Sequence, residues 1–230
     1  MNTTRGERRA KMERWLRSAD PLPERMALEA ELDAALRATR AAVGTIGAAF
    51  VLEPAPWGVL HIAATTRGIV AIELISETGE FMANLSRRLG STVVPDGPGV
   101  PQSTREALAA ARRELGEYFV GRRTTFDLAI DLNAVTPWDR LVLDGARRLS
   151  YGETTSYGAL ARSIGRPRAA RAVGGALGRN PVPVVIPCHR ILAANGTLGG
   201  YGGGGHTPRA DMLDVKRRLL ALEGAPVGAR

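Results

Sequence analysis

Residues 155–190 read TSYGALARSIGRPRAARAVGGALGRNPVPVVIPCHR. The first part holds two short helical patterns, TSYGALARSIG and RPRAARAVGGALG, joined at residues 165–167 by a glycine and a proline. Such a junction makes a tight turn, and the spacing is that of a helix-turn-helix. Pro167 suits the first turn of the second helix. That helix carries Ala169, Ala170, Ala172, Gly174 and Gly175. Each glycine costs a helix roughly 1 kcal/mol against alanine. Small residues at that cost point to close approach, either by a neighbouring helix or by a ligand. The stretch then runs through NPVPVVI to Pro187 and Cys188, the only cysteine of the chain, followed at once by His189 and Arg190.

Upstream, Thr136 can cap a helix over TPWDRLVLDGARRLS, with Pro137 in its first turn. Downstream, ADMLDVKRRLLALEG reads as a final helix stopped by Gly224. Residues 133–230 thus form a mostly helical unit. Before it, IGAAFVLE, GVLHIAATT and GIVAIELI read as strands separated by PAPWG and TRG turns. SETGEFMANLSRRLG reads as a helix, VVPDGPGVP as a loop, and STREALAAARRELGEYF as a second helix opened by a Ser103–Glu106 capping box. TTFDLAIDL is a strand or an extended connector. Residues 44–132 are therefore a small α/β unit. Residues 1–43 read as two helices around a break at Pro21 and Pro23, the second with an apolar face of Leu28, Leu32 and Leu36. The fold class is α/β (α+β): a helical extension, an α/β domain, and a helical domain with a helix-turn-helix.

Bulk composition narrows the function. The 230 residues are 44% hydrophobic and 23% charged, as in an ordinary globular protein. No apolar run is long enough to span a bilayer, and the N-terminus has no apolar signal core. One cysteine makes no internal disulfide, so a cytoplasmic setting is expected. With three histidines, His61, His189 and His206, and one cysteine, no metal is expected. The net charge of +8 favours a polyanionic partner, nucleic acid or an anionic membrane surface. Its distribution favours the first: Arg147, Arg148, Arg162, Arg166, Arg168, Arg171 and Arg179 face a single acid, Glu153, between residues 145 and 180.

A nucleophilic cysteine needs thiolate character, hence a base or positive charge close by. A lone buried cysteine is otherwise a small hydrophobe, and adjacency of His189 alone does not choose between the two. The motifs together do. NPVPVVIPCHR, preceded by GETTSYGALARSIGRPRAARAVGGALGR and followed by GTLGGYGGG and KRRLLALEG, resembles the O6-alkylguanine-DNA alkyltransferases, the methylated-DNA–protein-cysteine methyltransferases. The likeness covers residues 136–224 in the family's order; the α/β unit fits by position and pattern, and residues before 44 have no counterpart.

The resemblance implies irreversible, single-turnover transfer of an alkyl group from O6 of guanine in double-stranded DNA, with O4-alkylthymine left open as a second lesion. It implies no cofactor, no membrane partner and a monomer. Cys188 matches the alkyl acceptor, His189 the residue that draws off the thiol proton through a water, and Glu223 the carboxylate orienting that histidine. Asn180 matches the tie between recognition helix and active-site loop, and Tyr157 the tyrosine assisting the departing guanine. Arg171 matches the finger that fills the stack, with Ala170, Ala172 and Gly174 letting the helix approach the DNA. Pro183, Ile191, Tyr201 and Gly202 fall in the base pocket, and Lys216 near it. The link GGGGHTPRADMLDV before Lys216 is longer than the family's.

The chemistry agrees with that assignment. An alkyl group on O6 lies within the duplex stack, so the nucleotide must be flipped out. An inserted side chain and a basic surface offset the cost. A thioether product has no second nucleophile to release it. Three rivals remain distinguishable. A sequence-reading regulator binds damaged and undamaged duplex equally. A lesion sensor of the alkyltransferase-like kind lacks the acceptor cysteine, which this chain has. A cysteine hydrolase needs an oxyanion hole that the sequence does not display.

Overall fold

The computed structural model describes residues 46–74, 76–202 and 209–225. The two helices expected within residues 1–43, and residues 203–208 of the long glycine-rich link, His206 among them, lie outside these residues. The described residues open with a meander, β1 (Ile46–Ala55), β2 (Gly58–Thr65) and β3 (Gly68–Glu73), whose neighbours pair antiparallel. Helix α1 (Thr78–Leu89) then carries the chain across to β4 (Thr92–Pro95), which pairs parallel with β1 and completes the order β3-β2-β1-β4.

The alternation of β1 builds two layers. Ala48 and Phe50 face Phe81 and Leu85 of α1, while Ala49 and Val51 belong to the opposite core. That core receives Leu108, Ala111, Leu115 and Tyr118 from α2 (Gln102–Phe119) and continues without a break into the helical half.

Two local expectations in the sheet half are corrected. Residues 93–95, read as the start of a loop, belong to β4. That strand is only four residues long and runs into turn formers, so its identity comes from the backbone of β1 beside it. Pro95 closes an edge strand, where a missing N–H is tolerated. The Ser103–Glu106 capping box does not form. Pro101 occupies the cap position, its carbonyl accepting from Thr104 N (3.0 Å) and Arg105 N (3.1 Å), so Ser103 is already inside the helix. Glu106 accepts from the Gln102 side chain instead, at 2.9 Å. Residues 124–132 are an extended connector, bonded beside β3 through Ile69 N to Ala129 O and Asp131 N to Ile69 O, both 2.8 Å. Gly68 is required there. Its φ is +134°, and a Cβ would lie 2.4 Å from the Ala129 carbonyl oxygen.

The helical half packs α3 (Pro137–Ala146), α4 (Tyr157–Ser163) and α5 (Ala170–Gly178) against one another, and α6 (Arg209–Leu222) closes the chain. Thr136 and Ser156 cap α3 and α4 through their hydroxyls, accepting from Asp139 N and Ala159 N at 3.1 Å each. At Gly145 a Cβ would fall 2.6 Å from Ile164 Cγ2, so this glycine sets how closely α3 meets α4. Pro167 is not in the first turn of α5. Residues 166–168 make the connecting turn, with Arg166 N bonded back to Ala161 O at 2.8 Å, and the helix starts three residues after the proline. A two-residue parallel pair, β5 (Thr155–Ser156) with β6 (Ile191–Leu192), ties the start of α4 to the segment just after the cysteine. No helix among the described residues is long and apolar enough to cross a membrane.

His61 sits in the smaller core, wedged between Phe50 and Phe81, with Nε2 3.0 Å from Thr78 Oγ1. Burial lowers its pKa to about 4, so the fold holds it neutral. Its contribution is complete above pH ~6.5, where the unfolded residue is also neutral, and drains away as pH falls toward 4. His61→Gln should therefore flatten the acid limb of stability. The prediction is that the wild-type loss between pH 7 and 4, measured by denaturant unfolding, exceeds that of the variant by about 3 kcal/mol; equal losses would contradict it.

Candidate active site

The segment that holds Cys188 is built to leave it little freedom. Asn180, at the end of α5, spreads its side chain over the following turn. Its Nδ2 donates to Ile186 O (2.9 Å) and to Cys188 Sγ (3.1 Å), and its Oδ1 accepts from Val182 N (3.0 Å). Both amide hydrogens and one lone pair of the oxygen are thereby used on the loop that carries the thiol. Within that loop Val184 adopts φ +74°, the one non-glycine at positive φ among the described residues, and it is buried. A β-branched residue pays on the order of 1–2 kcal/mol for that conformation. The clamp and the burial of Val182, Val184 and Ile186 hold it there. Cys188 then opens a single 3-10 turn, Cys188–Arg190, with its N–H bonded to Ile186 O at 2.8 Å.

The turn sends consecutive side chains to different places. Cys188 faces an open cleft of about 1060 Å3 that it shares with Asn180, Pro183, Gly200, Tyr201 and Gly202. His189 and Arg190 point inward to Glu223, just beyond α6. The Glu223 carboxylate is completely enclosed and takes five hydrogen bonds. Oε1 accepts from His189 Nε2 (3.0 Å), Arg190 Nη2 (2.7 Å) and Tyr118 Oη (2.6 Å). Oε2 accepts from Arg190 Nε (2.9 Å) and Gly152 N (3.0 Å). Burial alone would raise this carboxyl's pKa. The donors from His189, Arg190 and Tyr118 outweigh it and hold the group well below the usual carboxylate range.

Because an ionised carboxylate only accepts, the His189 nitrogen facing it, Nε2, carries the hydrogen. Burial lowers the pKa of His189 against the pull of Glu223, so the ring is held neutral. Its Nδ1 is then the lone-pair atom, and it is buried with no protein partner. Burial also pushes the Cys188 thiol up; Asn180, the Lys216 charge, a backbone N–H and Tyr201 oppose this without cancelling it. The resting thiol is protonated. Tyr201 Oη is near enough for each group to shift the other, yet it makes no hydrogen bond of good geometry.

Lys216 is fully buried and has no acid beside it among the described residues. Its ammonium donates to the carbonyls of Ile191 (2.6 Å), Leu198 (2.7 Å) and Gly200 (3.0 Å), and burial lowers its pKa to about 8. It thus pins the glycine-rich segment to the strand after the cysteine. Gly202 suits the turn of that segment, since its φ of +65° lies in the left-handed region that favours glycine. Ile191 is placed differently from the other expected pocket residues. Its side chain is fully buried in the core, outside the cleft lining, and it serves through its carbonyl.

Tyr157, at the start of α4, lies over this same segment. Its hydroxyl donates to Gly200 O (3.3 Å) and accepts from Gly200 N (3.4 Å). Gly174 of α5 packs on its ring, where a Cβ would sit at an ordinary 3.7 Å. Packing inside the protein therefore does not demand that glycine. On the outer face of α5, Arg171 is exposed, flanked by Ala170 and Ala172. Arg147, Arg148, Arg162, Arg168 and Arg171 form no ion pair with any described carboxylate, whereas Arg179 is held by Asp139 at 2.9 and 2.6 Å.

Three participants escaped the reading of the sequence: Arg190, Tyr118 and the Gly152 N–H. Arg190 was visible as a cation beside the cysteine, but it serves Glu223, with a further bond to Leu149 O at 2.6 Å. Tyr118 comes from α2 in the sheet half, and no local spacing announces it. Among the described residues no cluster of three or more metal-ligating side chains occurs.

With this geometry in place, relatives can be compared. Residues 52–132 match the profile described as 6-O-methylguanine DNA methyltransferase, ribonuclease-like domain, and residues 137–225 match its DNA binding domain. A Mycolicibacterium paratuberculosis methylated-DNA–protein-cysteine methyltransferase is 45% identical over 60% of this chain and 77% of its own. The Methanosarcina acetivorans protein of that name is 40% identical over 55% and 77%. The structure of Mycobacterium tuberculosis O6-methylguanine methyltransferase superimposes with a TM-score of 0.61, at 33% identity, covering 79% of this chain and 96% of the other. The same organism's OGT, solved in complex with DNA, gives 0.59 at 33% identity over 78% and 94%. Two matched domains in order and relatives of this similarity place the chain in the methylated-DNA–protein-cysteine methyltransferase family.

Proposed function

We propose that this protein repairs DNA by moving an alkyl group from O6 of guanine to Sγ of Cys188, once per molecule. The observation that carries the reading is the neutral, buried thiol, held by Asn180 beside a histidine whose Nδ1 Glu223 leaves free to accept a proton.

The arginines around α3, α4 and α5 that pair with no described carboxylate supply the sequence-independent attraction to phosphates. Arg171 enters the stack as the damaged nucleotide swings out, and the small residues beside it allow α5 to lie close to the duplex. The flipped base enters the cleft between Pro183, Tyr201 and the Cys188 thiol. Its alkyl carbon then faces Sγ.

The proton of Cys188 passes through a water to Nδ1 of His189, and the imidazolium so formed is stabilised by Glu223. The buried charge of Lys216 favours the thiolate as it appears. Sγ bonds to the alkyl carbon, the bond from that carbon to O6 breaks, and its electron pair leaves with guanine. Tyr157 exchanges its bonds to Gly200 for one to the purine as negative charge develops there. The product is a thioether on Cys188. Nothing in the mechanism returns the thiol, so each protein acts once. Every residue invoked comes from one chain, so a monomer suffices, meeting duplex that carries an alkylated base.

Two outcomes follow. Cys188→Ala should abolish methyl transfer from duplex carrying O6-methylguanine while lesion binding, measured by fluorescence anisotropy, persists; residual transfer would refute the acceptor assignment. Arg171→Ala should slow repair of that duplex by about tenfold or more, since the cost of unstacking is no longer offset. Its reaction with free O6-methylguanine should stay within about twofold of wild type; equal loss on both substrates would count against a role in flipping.

A further inference from the structure

Oε1 of Glu223 accepts three hydrogen bonds, one of them from Arg190 Nη2 at 2.7 Å. The others come from His189 Nε2 at 3.0 Å and, closer, from Tyr118 Oη at 2.6 Å. Tyr118 lies on α2, in the sheet half, separated from Glu223 by 105 positions. Its ring is fully buried, with Phe119, Phe126 and Tyr151 packed around it, so the hydroxyl has one place to point. The mechanism above uses Glu223 and His189 and leaves Tyr118 without a task.

We propose that Tyr118 is a positioning residue for alkyl transfer: its hydroxyl shares the Glu223 carboxylate with His189 and thereby sets how tightly that histidine holds a proton. The inference rests on the proposed function, in which His189 receives the thiol proton. A hydrogen bond donated to one carboxylate oxygen draws charge away from the other donors on it. The closer bond to Tyr118 therefore weakens the pull of Glu223 on the imidazolium. His189 remains a base that is neutral at rest and can surrender its proton again. The other groups facing this pair are Arg190, which bonds both carboxylate oxygens, Lys216 and Cys188 on the side of His189, and Tyr151 and Tyr201 beyond. Arg190 and Lys216 act on His189 in the same sense as Tyr118, toward the neutral ring. Tyr118 is the member of the set delivered by the sheet half, so through one bond that half takes part in the chemistry.

The test is the pH dependence of the single-turnover rate at saturating duplex carrying O6-methylguanine. In the wild type the rate falls on the acid side as His189 becomes protonated at rest. In Tyr118→Phe the freed carboxylate holds the imidazolium more firmly, so the acid limb should move up by about half a pH unit or more, with affinity for the duplex unchanged. Placing 3-fluorotyrosine at position 118 makes the hydroxyl a stronger donor with almost no change of shape, and should move the limb the other way. Opposite displacements support the proposal. A limb that coincides with wild type in both proteins overturns it, and so does displacement in the same direction, whatever the variants do to thermal stability. A wild-type protein that transfers no methyl at all instead overturns the repair reading on which the proposal stands.

Discussion

The buried carboxylate of Glu223 is the constraint around which the active site is arranged. An ionised group enclosed to this degree is destabilising unless its lone pairs are met. Here they are met by donors from four places: the tyrosine of α2, the backbone of Gly152, and the paired side chains of His189 and Arg190. Satisfying one charge therefore fixes the sheet half, the loop before α4, the cysteine turn and the end of α6 relative to one another. The arginine also brings a formal positive charge, so the site can keep Glu223 ionised while leaving His189 neutral.

A second constraint runs from the outer surface to the thiol. The helix that carries Arg171 ends at Gly178, two residues before Asn180, and Asn180 holds both the loop carbonyl and the thiol. The short β5–β6 pair adds a second tie, from the start of α4 to the residues after the cysteine. Tyr157 stands at that same start and reaches the glycine-rich segment, which Lys216 anchors from the other side. The surface proposed to meet DNA and the atom proposed to accept the alkyl group are thus parts of one rigid connection. The strained Val184 lies in the middle of it, and its strain is borne by the same clamp.

Much of this was legible in the amino acids. The meander, the long amphipathic helix and the helix-turn-helix follow from periodicity and from turn residues at their ends. The order of Tyr157, Asn180, Cys188 and Glu223 was legible through family resemblance rather than through physics, since each alone reads as a packing or surface residue. What escaped reading depends on partners far away in sequence. Residues 93–95 become part of a strand because β1 lies beside them. The Ser103–Glu106 spacing fails as a cap because Pro101 already occupies the position. Arg190 and Tyr118 reach Glu223 across 33 and 105 positions, and no local pattern encodes such a contact. Ile191 looked like a pocket wall by its place in the motif, but the pairing of β6 turns its side chain into the core.

The most direct measurement is mass spectrometry of the intact protein and its peptides after incubation with excess duplex containing one O6-methylguanine. The account predicts one added methyl per protein, located on Cys188, with no further addition as more duplex is supplied. A folded protein that leaves Cys188 unmodified, or that restores many lesions per molecule, would contradict it.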